Sequence, residues 1–510
     1  MQKGVVVHAF VVMASLFSGA AAAQALPAVQ APRITLKEAA QAAVLKNPEV
    51  QARWHAFLEA GEEIGVARGG FFPRVDFSAG SGHHKTVQKK AGIDNSYHGN
   101  ESTLSLRQML FDGFATSSEV KRLGKAKLVR YFELLDASEN TALEAARAYL
   151  DVTRYREQVS LAEDNYLQHH VAHEQLKRRA ASGVGKRVDV DQAASRLALA
   201  DVNLTTAYAN LHDVSARYLR IVGENPPREM GAPERLTRAF PENMDAALAA
   251  ALQRNPALRA SIENIEASQY DLEARRAAFM PRVDIVARRD DYSNYEDARS
   301  RDDTRLELRL NYNLFNGGSD LARSRQYRER KHIALDMREK ACRDVRQTLA
   351  IAYNDTLRLN DQLAYLATQV ELVEKTRTAY RDQFNIGQRT LLDLLNTQNE
   401  YFDARRAKVN ADADLSLAYL RSYAGMGRLL EALELKPVEL EDAPAAGDFA
   451  AVDAEQMCPP LAPVDATPDR EAVMRKAREM SENAPGLVGA RPQPAAIAPR
   501  SGAASATGAK

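Results

Sequence analysis

The chain has 510 residues, of which 45% are hydrophobic, 27% charged and only 7% aromatic, with a single Trp. Lys plus Arg equals Asp plus Glu, 68 each, so there is no global basic field for a nucleic acid, and no such partner is expected. Few aromatics and abundant Ala and Leu argue against a large globular core and suit long helices, while Cys342 and Cys458, far apart in sequence, give neither a disulfide framework nor a metal-ligand cluster.

The first stretch reads as a cleaved secretory signal peptide, residues 1–25. A short basic start, Met1-Gln2-Lys3, precedes an apolar run from Val5 to Leu16. Small residues follow, with Ala-x-Ala sites ending at Ala23 or Ala25. The apolar run is shorter than the roughly 20 residues a spanning helix needs. No Cys lies nearby to carry a lipid anchor. Beyond residue 25 no run is apolar enough for a membrane helix. That leaves a soluble exported protein or an outer-membrane β-barrel.

Residues 34–70 read as a helix interrupted by Asn47-Pro48, with apolar positions at Leu36, Ala39, Ala40, Ala43 and Val44. The same sentence is written again from Met244, interrupted by Asn255-Pro256. Phe71-Phe72-Pro73-Arg74-Val75-Asp76 returns at the same offset as Phe279-Met280-Pro281-Arg282-Val283-Asp284. The chain is therefore a duplication, with one repeat over 26–226 and another over 227–432.

After each proline the period changes from helical to two. Strands are expected at about 74–82 and 101–111, then at 282–290 and 304–315. In the last, Leu306, Leu308, Leu310, Tyr312 and Leu314 alternate with Arg305, Glu307, Arg309, Asn311 and Asn313. An apolar face backed by a charged one is the outer-membrane barrel pattern, with one face to lipid and the other to water. A half-buried strand of a soluble sheet would look the same on one strand alone. Four such strands, with no other strand-like segment to pack against, favour the barrel. Four strands cannot close a barrel, and open edges are not tolerated in lipid. If the lipid reading holds, several chains must share one barrel. The polar stretches 83–100 and 291–303 are expected as external hairpin loops.

Turns at Leu110-Phe111-Asp112-Gly113 and Leu314-Phe315-Asn316-Gly317-Gly318 lead into helix patterns of roughly 65 residues, on the order of 100 Å each. These run from about 115 to 181 and from about 319 to 384. Helices returning over about 189–222 and 390–430 give them coiled-coil partners. Each pair is joined by a glycine-broken turn, Val184-Gly185-Lys186-Arg187 and Ile386-Gly387-Gln388-Arg389. At the second turn Thr390 is placed to cap the new helix, with Asp393 in the capping-box position. Residues 433–510, rich in Ala and Pro with a charged patch at 469–482, read as a largely disordered tail. Neither Cys342 nor Cys458 receives a role.

Jointly these motifs resemble the TolC-like outer-membrane efflux proteins over about residues 34–430. The two Asn-Pro helices, the prolines ahead of the strands, the Leu-Phe-Asp-Gly and Leu-Phe-Asn-Gly-Gly turns and Gly387-Gln388-Arg389-Thr390-Leu391-Leu392-Asp393 carry the resemblance. It implies an α+β membrane protein: a duplicated helix–hairpin–long helix unit giving four strands per chain to a twelve-stranded barrel shared by a homotrimer. A long α-helical tunnel would extend into the periplasm. The second turn looks most like channels of type I protein secretion. The resemblance then implies a periplasmic adaptor, an inner-membrane ABC transporter and an exported protein cargo as partners. The exit duct of a small-molecule efflux pump is the alternative. A coiled-coil envelope protein that transports nothing is the third reading.

The resemblance also places a periplasmic gate at the turns. Arg389 matches the arginine that ties the inner helix pair to its neighbours, Asp191 its acidic counterpart, and Asp393 an acidic ring on the trimer axis. Val184, Gly185, Ile386 and Gly387 match adaptor-docking turns. Phe384 stands where the family has a tyrosine, and Asn396 where it has a second acid, which implies a looser latch. Asp393 also suits a helix N-terminus, worth about 0.3–1 kcal/mol against the dipole. His169, His170, His173 and the His83-His84 pair are expected as solvated surface histidines, not metal ligands. No phosphate loop or nucleophile elbow is present, so neither an enzyme nor a cofactor is expected.

Overall fold

The computed structural model describes residues 34–88, 93–295, 299–440, 443–450, 458 and 469–483. The expected signal peptide lies outside them. The chain divides into two units, Met1–Pro460 and Leu461–Lys510.

In the first repeat, Thr35 opens α1 (Leu36–Lys46) with a capping box. Its hydroxyl accepts the Glu38 N–H at 3.2 Å, and the Glu38 carboxylate accepts the Thr35 N–H at 2.8 Å. Asn47 ends α1 and caps α2 (Pro48–Arg68), accepting the Glu49 N–H at 2.9 Å. Pro48 occupies a first-turn position where a missing N–H is harmless. Strands β1 (Arg74–Gln88) and β2 (Ile93–Phe111) follow. The turn into α3 (Ala115–Ala181) holds Gly113 at φ 70°, where an added Cβ would lie 2.6 Å from Met280. Asp112 then accepts from both the N–H and the hydroxyl of Thr116, at 2.8 and 2.6 Å. Helix α4 (Arg187–Val222) returns and stops at Gly223.

The second repeat copies this order. Asn243 caps α5 (Met244–Arg254), and Asn255 caps α6 (Pro256–Arg276). Then come β3 (Arg282–Tyr295), β4 (Arg299–Asn311), α7 (Ser319–Asn385), α8 (Leu391–Gly425) and the single turn α9 (Leu429–Ala432). The duplicated asparagines do a second, matching job. The Asn47 amide donates to Ile221 O at 3.2 Å, and the Asn255 amide to Gly425 O at 3.0 Å. Each ties the broken helix to the end of its own repeat's returning helix.

The four strands form one antiparallel sheet in the order β1-β2-β3-β4. The strands run well into the polar stretches expected as loops: β1 and β2 stay in register up to the Gln88–Ile93 pair, and β3 and β4 pair as far as Tyr295–Arg299, with a register shift between Tyr292 and Tyr295. These stretches are polar and lack an apolar alternation, so the ladder rests on backbone pairing helped by cross-strand polar contacts such as Ser96–His83 at 2.8 Å and Ser81–Asn100 at 2.7 Å. At its other end β4 stops at Asn311 rather than 315. Val75, Phe77, Leu104, Leu106, Leu306, Leu308 and Leu310 share one exposed face. The opposite face carries neighbouring ion pairs: Arg74–Asp76 at 2.9 Å, Arg282–Asp284 at 3.1 Å, Arg288–Asp290 at 2.6 Å and Arg309–Glu307 at 2.8 Å.

Helices α3 and α7, 67 residues each, span about 100 Å. On the sheet side α3 meets α2 and α6, through Phe57 against Tyr131 and through a Lys125–Glu263 pair at 3.0 Å. Towards the far end it meets α4 and α8, through Val159, Leu161 and Ala162 against Ala207, Phe402 and Val409. Short helices therefore stack end to end along each long one, as their lengths require.

The largest core lies between these halves. Ala39, Ala40 and Ala43 of α1 pack with Ala142, Ala145, Ala146 and Tyr149 of α3. Glu139 of α3 is buried there and accepts the Leu429 and Leu430 N–H groups at 2.9 and 3.3 Å, capping α9. Burial pushes its carboxyl up to about 7.

The expected tail needs correcting in its described part. Leu433 and Leu435 are buried in the central core, and Lys436 exchanges two hydrogen bonds with Gln41. Phe449 stacks on Tyr131. Cys342 of α7 and Cys458 are joined by a disulfide, their Cα atoms 5.7 Å apart. Their separation in sequence gave no hint of that proximity. Tail residues 441–442, 451–457, 459–468 and 484–510 lie outside those described, and the second unit has one described helix, α10 (Arg470–Asn483).

Candidate functional site

The two glycine-broken turns form the end of the helix stack opposite the sheet. At the first, α3 stops at Ser182, and Gly183 takes φ 78°. The N–H groups of Val184 and Gly185 both donate to Arg179 O, at 3.1 and 3.0 Å. Gly185 is required for a different reason: a Cβ there would lie 2.9 Å from the Ala180 nitrogen. At the second turn the positive φ, 79°, falls on Gly387 itself. The sequence match of Gly185 to Gly387 thus pairs two glycines with different local duties. Val184 and Ile386 project from the turns, 84% and 69% exposed.

Thr390 caps α8 as expected. It accepts the Asp393 N–H at 3.3 Å and donates its hydroxyl to the Asp393 carboxylate at 2.8 Å. Arg389 folds back over its own turn. Its Nε donates to Gln383 at 2.9 Å, its guanidinium lies 4.1 Å from the Tyr380 ring, and it reaches Asp393 at 3.7 Å. Asp191 sits exposed in the first turns of α4, with no hydrogen bond or ion pair among the described residues. A single chain therefore brings Arg389 and Asp393 together and leaves Asp191 apart from both.

Phe384, lacking the hydroxyl of the family tyrosine, packs beside Leu176, Ala193, Leu391 and Leu395, with the Arg179 guanidinium 5.7 Å from its ring. Asn396 accepts from Arg196 of α4 at 2.9 Å and so links the repeats. That tie runs on upward as a polar seam between α3 and α8. Gln158 donates to Asn410 at 2.6 Å, and Arg154 reaches Asp414 at 3.2 Å. Sequence reading missed Arg196 and this seam, because each partner comes from the other repeat.

His169 also belongs to the seam, contrary to the expectation of a solvated histidine. It is buried, and its Nε2–H donates to Asn399 Oδ1 at 3.0 Å, which leaves Nδ1 without a partner among the described residues. Burial, and then the nearby Arg196, hold its imidazole below the usual 6.5. The unfolded chain therefore binds the proton more readily than the folded one. The stability this group contributes is complete above pH 6.5 and is lost as pH falls through the folded value. Acidification is expected to lower the hydrogen-exchange protection factors along α8 near Asn399, intrinsic rates being corrected for pH, and His169→Gln is expected to remove that dependence. An unchanged pH profile in His169→Gln would contradict this.

A stack of 100 Å helices rising from an open, one-sidedly apolar sheet defines a class: a subunit of an outer-membrane channel, a non-enzymatic export duct whose helices extend into the periplasm. The chain belongs to the outer membrane efflux protein family, whose model matches residues 39–224 and 247–428. It is 24% identical over 386 residues to the outer membrane efflux protein BepC of Brucella suis, a match covering 74% of this chain and 83% of that one. It is 28% identical over 414 residues to the alkaline protease secretion protein AprF of Pseudomonas aeruginosa, covering 75% and 83%. Among solved structures, the CmeC outer membrane channel of Campylobacter jejuni superposes with a TM-score of 0.70 at 13% identity, covering 77% of this chain and 86% of that one.

Proposed function

We propose that the chain is the outer-membrane duct of a tripartite type I protein-secretion machine. Three copies pool their strands in one barrel, and the tips close its periplasmic end until an adaptor and an inner-membrane ABC transporter dock. The observation that carries this reading is the pair of glycine-broken tips, with exposed Val184 and Ile386, at the opposite end of the helices from a lipid-suited sheet. A relative named for protease secretion supports the cargo class.

The gate follows from the tip geometry. Asp393 near the trimer axis would face its two copies, and like charges there repel and attract cations. Asp191, exposed and without a hydrogen bond or ion pair among the described residues, can meet Arg389 of a neighbouring copy. The α3–α8 seam combines an apolar cluster, Val159, Leu161 and Ala162 with Phe402 and Val409, with polar contacts and ion pairs. At the tip the Arg389–Asp393 pair is exposed, and such pairs contribute about 0.2–1 kcal/mol each, so a docking partner can supply the work of breaking the tip contacts.

A photo-crosslinking residue at Val184 or Ile386 tests the assembly. The expected product is a periplasmic adaptor that co-purifies with an ABC transporter. An adaptor carrying a proton-driven drug antiporter would favour the second reading, a small-molecule efflux duct, which the efflux-named relative supports. No adaptor crosslink at either turn would sink both.

A further inference from the structure

We propose that the C-terminal segment is a strap across the repeat boundary, locked by oxidation of Cys342 and Cys458 after the chain reaches an oxidising compartment. The strap is fastened at three places. Near its start, Gln41 of α1 donates to Lys436 O at 2.9 Å and accepts the Lys436 N–H at 2.7 Å. In the middle, Phe449 lies 6.0 Å from the Tyr131 ring and 5.0 Å from the Phe132 ring of α3, with Arg259 of α6 5.6 Å from its face. At its end the disulfide holds it to α7.

The polar groups beneath the strap depend on it. Glu263 of α6 is only 1% exposed, and its donors among the described residues are Lys125 of α3 at 3.0 Å and the Ala450 N–H at 2.6 Å. Lys125 also donates to Asp448 O and Arg259 to Ala450 O, each at 3.3 Å. A buried carboxylate stripped of a donor is unfavourable, so the covered helices are built to receive this segment. Its contacts fall on α1 and α3 of the first repeat and on α6 and α7 of the second. It therefore fixes the register of the two repeats on the sheet side, where no other covalent link joins the tail to the helices.

Both cysteines are buried in the locked form. Closing the bond removes one proton and one electron from each thiol. The two electrons pass to the disulfide of a dithiol oxidoreductase through a mixed disulfide, and that enzyme leaves reduced. Such partners and the bonds they make belong to oxidising compartments such as the periplasm.

The test uses full-length protein taken from outer membranes without reductant and labelled, under denaturing conditions, with a polyethylene glycol maleimide. No label is expected before reduction and two per chain after it. Hydrogen exchange is then followed in the folded protein, oxidised and after reduction. Residues 443–450 are expected to exchange about tenfold faster or more once the bond is opened, with the tips at 182–190 unchanged. Cys458→Ser should match the reduced protein; if that variant does not assemble, reduction of the assembled wild type makes the same comparison. Free thiols in protein from the membrane, or exchange at 443–450 indifferent to reduction, would overturn the proposal. Neither readout involves cargo, so the strap and the secretion reading fail separately.

Discussion

Leu308→Arg should keep the protein out of the outer membrane. Leu308 is the centre of the apolar run Leu306, Leu308, Leu310 on β4 and is 71% exposed. On β3 its partner is Ile285, on the same face. An Arg on the lipid face near the midplane costs roughly 2–4 kcal/mol, and a shared barrel meets that cost once per copy. The sum rivals the whole stability of an ordinary domain, about 5–15 kcal/mol. The control is one residue away. Glu307 lies on the opposite face and pairs with Arg309 at 2.8 Å, so Glu307→Gln is expected to insert normally. Membrane fractionation and the heat-labile oligomer on gels read both. Normal insertion of Leu308→Arg would mean that this face does not meet lipid.

The second large effect is expected at the tip. Arg389→Ser removes three contacts at once, to Gln383, Tyr380 and Asp393, and whatever Arg389 makes across the subunit boundary. Each exposed interaction is small, about 0.2–1 kcal/mol. Three copies acting on one closed state together shift it by a few kcal/mol, and every 1.4 kcal/mol or so is tenfold in population. The variant should therefore raise the conductance of the resting channel in planar bilayers and admit bulky antibiotics to cells. Asp393→Asn isolates the charge: it keeps the Thr390 cap, yet should weaken the preference of the constriction for cations. Resting conductance unchanged in Arg389→Ser would remove Arg389 from the gate.

Much of this architecture could be read from the chain because its breakpoints are chemical. Asn47-Pro48 and Asn255-Pro256 interrupt helices by the rules of capping, and the structure shows both asparagines as caps. The bounds of α3, expected at about 115 and 181, match the structure closely, because a glycine stands at each end: Gly113 at φ 70° before it and the glycine-broken turn after it. The Leu306–Leu310 alternation named the faces of β4.

What stayed hidden is what two distant segments do together. Thr86 pairing with Asn95 leaves no apolar trace, so the hairpins looked like loops. His169 seemed a surface residue because its cover, Asn399 and its neighbours on α8, arrives from the other repeat. Cys342 and Cys458 gave no spacing motif, since proximity comes only after the tail has crossed α3 and α6. At the tip the capping role of Thr390 was legible, whereas the inward fold of Arg389 over Tyr380 depends on side-chain packing that periodicity does not report.

The most direct measurement compares a deletion strain with its parent, scoring secreted proteins and drug tolerance together. A dedicated secretion duct predicts that one large protein disappears from the medium or the cell surface while tolerance is intact, with secretion restored by the intact gene. Normal secretion with new sensitivity to dyes, detergents or antibiotics would contradict that account and make the chain an efflux duct.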